Sequence, residues 1–426
     1  MLRSGALAGI RRLDLSADLS VFPTEIYDLA DTLEILNLSG NRLDSLPQDL
    51  PRLHRLRVIF CSDNKFTEVP EVLGQCPSLE MAGFKACRIE RFSAASVPAA
   101  LRWLILTDNR LTALPENLGS CARLQKLMLA GNSLQRLPDS MAACANLELL
   151  RISANNFEQL PPWLTSLPRL SWLAFAGNPL DAGCHVADVS AIDWHEIALQ
   201  HRLGEGASGI IHKAIRRTAD GDKEVAVKLF KGAVTSDGLP RSEKAACLAA
   251  GNHPNLISAT GRIVGHPDAV AGLVMPLVDP GFCNLAGPPS LESCTRDIYA
   301  DDLHFSLDQV LSMSSGIASA AAHLHRNGIM HGDLYAHNML WSRSGACMLG
   351  DFGAASFVGS NAKAFERIEV RAFGCLLEEL LQRCEQPPCA ATDMLWELQR
   401  NCILQQVDAR PLFGEILETL GCAMRI

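Results

Sequence analysis

The sequence predicts an α/β multidomain chain in which a solenoid of short repeats is followed by a separate α+β domain. Three observations carry this. A leucine pattern recurs every 23 residues, with one interval of 22, from Ile10 onward. The pattern stops after Asn178-Pro179, and a new apolar pattern begins at Ile192. Within that second part, the apolar runs Asn338 to Trp341 and Ala346 to Leu349 are separated by Ser342, Arg343, Ser344 and Gly345, the composition of a tight hairpin turn. A chain of 426 residues, 48% hydrophobic and 20% charged, is long enough for two ordinary globular cores.

Repeats start at Ile10, Leu33, Leu56, Leu79, Leu101, Leu124, Leu147 and Leu170, each approximating L-x-x-L-x-L-x-x-N-x-L-x-x-L-P. Apolar residues at the first, fourth and sixth places alternate as in a strand with one buried face. Asn41, Asn64, Asn109, Asn132, Asn155 and Asn178 stand where the chain turns sharply. A buried amide there can bond the backbone of its own and the next coil. Cys87 takes that place in the fourth repeat, which is the 22-residue one and has Arg91-Phe92-Ser93 instead of the L-P ending, so an irregular coil is expected there.

The pattern resembles that of leucine-rich repeats, which implies a curved solenoid binding protein partners on its concave strand face. The outward residues of that face are Asp14, Asn37, Phe60, Gly83, Ile105, Met128, Arg151 and Ala174, with Trp103 and Trp172 two places earlier in their repeats. Phe60, Ile105 and Met128 form an apolar centre of the kind that marks a contact, with a partner, with the second domain or with another copy of the chain. No acid, base or nucleophile set recurs across the repeats, so no catalysis is expected of them. The repeat domain is set at 10–184, the boundary near 185–191 and the second domain at 192–426.

In the second domain, Leu203-Gly204-Glu205-Gly206-Ala207-Ser208-Gly209-Ile210-Ile211 carries G-x-G-x-x-G between strand-like runs. Its glycines let a hairpin backbone approach phosphates, and because the chain continues as a strand it is not a dinucleotide-binding turn, which would open a helix. Val225-Ala226-Val227-Lys228 follows as an apolar strand ending in a lysine, then Glu243 within a helical stretch from Arg241 to Ala250, then the strand Gly272 to Val278. Ser306-Leu307-Asp308-Gln309 is a capping box opening a long helix with Val310, Met313, Ile317, Ala321 and Leu324 on one face. The hairpin beyond it folds Asp351 back towards Asp333 and Asn338. Two oxygen ligands, Asn338 and Asp351, beside the acid Asp333 suit a magnesium-held polyphosphate, because hard cations take oxygen ligands and Asp333 is left to orient a hydroxyl.

H-G-D-L-Y-A-H-N from His331, followed by D-F-G at Asp351, resembles the catalytic loop and metal-binding motif of eukaryotic-type protein kinases. The resemblance spans roughly 192–426, because Val370 to Gly374 and Asp408 to Phe413 also match late elements of the family. It implies a bilobal protein-kinase-like fold using ATP and Mg2+. Lys228 would hold the α and β phosphates, paired with Glu243, and Leu203, Gly204, Glu205, Gly206, Ala207, Ser208, Gly209, Ile211 and Ala226 would enclose the nucleotide. Met275 would be the gatekeeper, and Val278, unlike Pro276, could donate a backbone hydrogen bond to adenine. Asp333 would orient the nucleophile, with Asn338 and Asp351 holding metal. Repeats and second domain together resemble bacterial-type leucine-rich repeat protein kinases, which implies phosphorylation of Ser or Thr.

The match departs from the family at several points. Gly332 replaces the usual arginine, so no cation answers an activation-segment phosphate, and Ser356 and Ser360 are the only hydroxyl residues between Gly353 and Glu369. Activity independent of phosphorylation there is expected. Tyr335 replaces a lysine that contacts the γ-phosphate, which implies a slower enzyme. The segment from Asp351 to Glu369 is short and lacks A-P-E, leaving Glu366 and Glu369 as alternative partners for Arg410. H-G-D-x-x-x-x-N also resembles small-molecule kinases for aminoglycosides and choline, and a catalytically weak scaffold pseudokinase is the third reading.

A net charge of -9 and a pI near 5.8 argue against a general nucleic-acid binder. Fifteen cysteines without a C-x-x-C pair point to free thiols, no zinc site and a reducing, cytoplasmic setting. The N-terminal apolar stretch is too short for a secretory signal, and no apolar run reaches the roughly 18 residues of a membrane span, so a soluble protein is expected.

Overall fold

The structure, a computed structural model, describes residues 7–181, 190–206, 208–232, 234–359 and 362–426. Residues 185–189 of the expected boundary, as well as Ala207 and Ser360, lie outside the described residues. The chain divides into two compact units, one of Met1–Leu167 with Asn178–Leu180 and one of Pro168–Gly177 with Asp181–Ile426.

In the first unit each repeat contributes one short strand: Arg12–Asp14 (β1), Ile35–Asn37 (β2), Val58–Phe60 (β3), Met81–Gly83 (β4), Trp103–Ile105 (β5), Lys126–Met128 (β6) and Leu149–Arg151 (β7). They pair in parallel, in the register Ile35, Val58, Met81, Trp103, Lys126, Leu149. The patterned leucines point inward; Leu33, Leu36, Leu38, Leu124, Leu127 and Leu129 are fully buried, each such side chain contributing about 1.5–3 kcal/mol. Pro70, Pro115, Pro138 and Pro161 each open a 3-10 turn on the way back, a place where a fixed φ and a missing N–H cost nothing.

The asparagines bond their own coil and the preceding one, not the next. Asn64 Nδ2 donates to Cys61 O at 3.0 Å and to Leu38 O at 2.9 Å, while its Oδ1 accepts from Leu43 N at 2.8 Å. The direction follows from the turn, whose inward-facing amide looks back at carbonyls the earlier coil leaves open. The residues before these asparagines and before Cys87 (Gly40, Asp63, Ala86, Asp108, Gly131, Ala154 and Gly177) are left-handed, with φ between 53° and 79°. In the fourth coil the Cys87 thiol donates to Cys61 O at 3.2 Å, as an amide does elsewhere. The expected irregularity is local: Arg88 is a second left-handed residue, at φ 69°, and Ser93 instead of a proline opens the 3-10 turn.

The second unit contains Trp172–Ala174 (β8), Ala191–Asp193 (β9), Ile197–Glu205 (β10), Gly209–Thr218 (β11), Gly221–Phe230 (β12), Gly261–Val264 (β13) and Gly272–Pro276 (β14). Except for β8 these form one sheet in the order β10-β11-β12-β14-β13-β9, mostly antiparallel, with β9 and β13 parallel. Ile192, Ala214, Val225, Val227, Ile263 and Val274 make its core. Helix Pro240–Ala249 (α1) follows β12.

Strand Cys283–Asn284 (β15) then leads to helix Leu307–Arg326 (α2), which starts at a capping box made by Ser306 and Gln309. Its face of Val310, Met313, Ile317, Ala321 and Leu324 is buried. Ile329–Met330 (β16), Met339–Trp341 (β17), Cys347–Leu349 (β18) and Ser356–Phe357 (β19) follow, β17 and β18 forming the expected hairpin and β16 pairing with β19. Helices Ala362–Leu381 (α3), Ala390–Cys402 (α4) and Phe413–Ala423 (α5) complete the unit. None of the described helices is long and apolar enough to cross a membrane. Every described cysteine is a free thiol.

Candidate active site

The β10–β11 hairpin places the glycine-rich turn over one end of the sheet, closed by Gly206 N to Gly209 O at 2.9 Å. A Cβ at Gly204 or Gly206 would meet no protein atom, so packing does not explain these glycines, whereas one at Gly209 would lie 2.5 Å from Leu229 O on β12. Lys228 stands opposite Ile211 and Leu273 on the neighbouring strands. Its ammonium pairs with the Glu243 carboxylate of α1, both side chains being almost buried, at 11% and 5% exposure. Burial disfavours the ammonium, but Glu243 and Asp351 outweigh it and hold the lysine above its ordinary value.

Gly206, Ser208, Gly209, Ile211, Lys228, Glu243, Met275, Asp351 and Phe352 are among the residues lining a cavity of about 160 Å³. Ala226 is buried on β12 opposite Met275. Leu203, Gly204, Glu205 and Val278 are not among the lining residues; Leu203 is 47% exposed, and Glu205 pairs with Lys231 and with Arg202 at 2.6 Å.

On the other side, β16 delivers the loop that begins at His331. This ring is fully buried, its Nε2 donating to Gly350 O at 2.9 Å and its Nδ1 accepting from Asp333 N at 3.3 Å. Asn338 Nδ2 donates to Asp333 O at 2.9 Å and to Asp333 Oδ2 at 2.8 Å, leaving its Oδ1 as an oxygen donor. Gly350 N closes the hairpin onto Asn338 O at 2.9 Å. Asp351 follows at once, left-handed at φ 55°, with Oδ1 accepting from Gly353 N at 3.1 Å. Sequence spacing thus brings Asp333, Asn338 and Asp351 to the end of one hairpin.

Arg410 takes neither expected carboxylate. Its guanidinium is held by three carbonyl oxygens, Leu404 at 2.9 Å, Arg367 at 3.1 Å and Pro168 at 2.6 Å. Glu366 instead accepts from Phe413 N at 2.8 Å. Glu369 is fully buried and turns to the catalytic loop, Oε1 accepting from Gly332 N at 2.8 Å and Oε2 from His325 Nε2 at 2.7 Å and His331 N at 3.3 Å. Sequence reasoning also missed Asp297, which accepts from His337 N at 2.9 Å and pairs with its Nδ1 at 2.7 Å. Burial disfavours the His337 imidazolium, but Asp297, helped by Asp333 and Asp351, holds it above the usual histidine range. No local sequence signal marks Asp297, since the loop that carries it has no period.

A family model described as protein tyrosine and serine/threonine kinase matches residues 197–373, and leucine-rich repeat models match 32–53, 99–157 and 122–180. Among similar proteins, the serine/threonine-protein kinase PITSLRE of Drosophila melanogaster is 28% identical over 177 residues, 41% of this chain and 17% of that protein. Mouse cyclin-dependent kinase 10 is 28% identical over 205 residues, 42% of this chain and 53% of that protein. A probable serine/threonine-protein kinase of Dictyostelium discoideum, gdt4, is 32% identical over 151 residues, 35% of this chain and 8% of that protein. The chain thus spans about half or less of the length of these relatives. It joins leucine-rich repeats to a domain of the protein tyrosine and serine/threonine kinase family.

Proposed function

We propose that the chain is an ATP- and Mg2+-dependent protein kinase acting on Ser or Thr hydroxyls in the cytoplasm, its repeats (10–184) recruiting protein partners to the kinase domain (192–426). The observation that carries this is the formed Lys228–Glu243 pair facing Asp351, opposite an Asp333 already oriented by Asn338. Magnesium-bound ATP supplies the transferable phosphoryl group. Lys228 offers a fixed ammonium to phosphate oxygens, and the space beside Gly204 and Gly206 admits them. The Asn338 Oδ1 and the Asp351 carboxylate are the protein oxygens for magnesium. Such a two-oxygen set fits a cation that completes its shell with phosphate and water, and no group of three His, Cys, Asp or Glu side chains among the described residues offers a closed metal cage. Asp333 orients the acceptor hydroxyl and takes up its proton. The cavity of about 160 Å³ is below the roughly 300–1,000 Å³ of a whole ligand pocket, so the nucleotide extends from it under the glycine-rich turn.

On the concave repeat face, Phe60, Gly83, Ile105 and Met128 lie in register across four strands, the Phe60 ring covering Gly83. This apolar strip is the proposed partner surface. The small-molecule reading is favoured by one feature, the eight residues or so between Gly353 and the start of α3 at Ala362, which offer little platform for a peptide. Phosphorylation of protein acceptors with labelled ATP, set against amino sugars and choline, separates the two readings. Labelled phosphoserine or phosphothreonine is expected; label on small alcohols alone would replace the proposal.

A further inference from the structure

The strand segment of the eighth repeat groups with the second compact unit, while Asn178–Leu180 of the same repeat stays with the first. Pro168–Gly177 lies within the kinase unit, and Trp172, Leu173, Ala174 and Phe175 are at most 1% exposed there. Trp172 and Ala174, expected on a partner-binding face, are instead taken up inside the unit. The Trp172 ring stacks on Tyr335 with centroids 4.1 Å apart and planes 8° from parallel, and its Nε1 donates to Leu334 O at 3.1 Å. These are the two residues that follow Asp333.

The same strand reaches three further places. Phe175 N donates to Ser356 Oγ at 3.0 Å, just past the D-F-G segment, and Ser171 Oγ accepts from Arg371 of α3 at 2.7 Å. Pro168 O accepts from Arg410 at 2.6 Å. The approach is so close that a Cβ at Gly332 would collide with the carbonyl oxygens of Leu173 and Ala354, and Gly332 has φ 73°. A glycine in the position where the family keeps an arginine is therefore required by the strand that packs there.

Resting on the kinase reading, we infer that the strand of the eighth repeat does in cis what an ordered activation segment would do: it clamps the catalytic loop through Leu334 and Tyr335. Trp172 is then a positioning residue for Asp333 and Asn338. The short segment after D-F-G and the buried Ser356 fit this, because the loop's support comes from elsewhere in the chain and a buried hydroxyl offers no site for a switch phosphate. Tyr335 cannot serve as a phosphate contact while it lies beneath the indole.

The test uses full-length Trp172→Ala and Trp172→Phe in two measurements. Amide hydrogen exchange over 331–338 should rise at least tenfold in Trp172→Ala, while peptides holding Lys228 and Glu243 stay as in the parent. Turnover on a generic protein acceptor should fall at least tenfold in kcat with the KM for ATP within twofold, and Trp172→Phe, which keeps the stack, should recover most of it. Should Trp172→Ala not fold, Trp172→Leu keeps apolar volume without ring or N–H and is read the same way. Loop exchange and kcat equal to the parent's in a folded variant overturn the inference. A parent chain without any turnover overturns the kinase reading instead, and the exchange measurement still decides the clamp.

Discussion

Replacing Glu369 by glutamine removes one charge and turns one of two buried acceptors into a donor. The Gln oxygen can keep the Gly332 N–H, now at 2.8 Å, but the His331 N–H at 3.3 Å then loses its acceptor. His325 keeps a partner only by moving its proton to Nδ1, which is itself buried without one. Two unmet buried groups cost about 1–3 kcal/mol each, about 2–6 kcal/mol together. Against a domain stability of about 5–15 kcal/mol, that is a large fall in the urea midpoint at unchanged m-value.

Glu366→Gln is the control, since an amide oxygen can still accept from Phe413 N, as the carboxylate does at 2.8 Å. The pH dependence has a definite sign. Burial raises the Glu369 carboxyl, but His325, His331 and the Gly332 N–H outweigh it and hold it below the usual carboxylate range. A lowered folded value is a contribution complete above the unfolded value of roughly 4.3 and lost as pH falls through the folded one. The gap between parent and Glu369→Gln should therefore be flat above roughly pH 5 and close below roughly pH 4. A midpoint shift under about 0.5 kcal/mol, or an equal loss in Glu366→Gln, refutes the reasoning.

Ser356→Ala removes the hydroxyl that accepts from Phe175 N at 3.0 Å and should lower stability by about 0.5–1.5 kcal/mol in thermal or urea unfolding while changing kcat little once folded. An unaltered midpoint would show that the bond contributes nothing. Changing Ile105 and Met128 together to Asp should abolish capture of a partner identified with the parent chain, with turnover on a generic acceptor intact; equal capture would remove the concave strip from the account.

The parts legible in the sequence are those with a local period or a short motif. Leucine spacing fixes which way Leu33, Leu36 and Leu38 face, and the Ser342 to Gly345 turn dictates the hairpin that returns Asp351 to Asn338. Glu243 is legible because it is the one acid in the helical stretch from Arg241 to Ala250 that follows the Lys228 strand. A carboxylate partner for Arg410 is expected only by analogy with the missing A-P-E glutamate, yet three carbonyls take up its donors. Carbonyl ligation leaves its charge unneutralised, and burial pushes the group down to about 10. Trp172 obeys the repeat pattern perfectly, so nothing local reveals that it stacks on a residue 163 positions later in the sequence. Gly332 looked like a lost arginine, and only the strand lying against it turns that loss into a packing requirement.

Transfer of labelled phosphate from ATP to protein acceptors by the parent and by Asp333→Asn tests the central claim most directly. Asn338 Nδ2 can still bond the new amide's oxygen, as it bonds Asp333 Oδ2 at 2.8 Å, so nucleotide affinity should hold. Loss of the proton acceptor should lower kcat by about 10²–10⁴. The account predicts Ser or Thr labelling by the parent and its near absence in the variant at unchanged nucleotide binding; equal labelling by both proteins would contradict it.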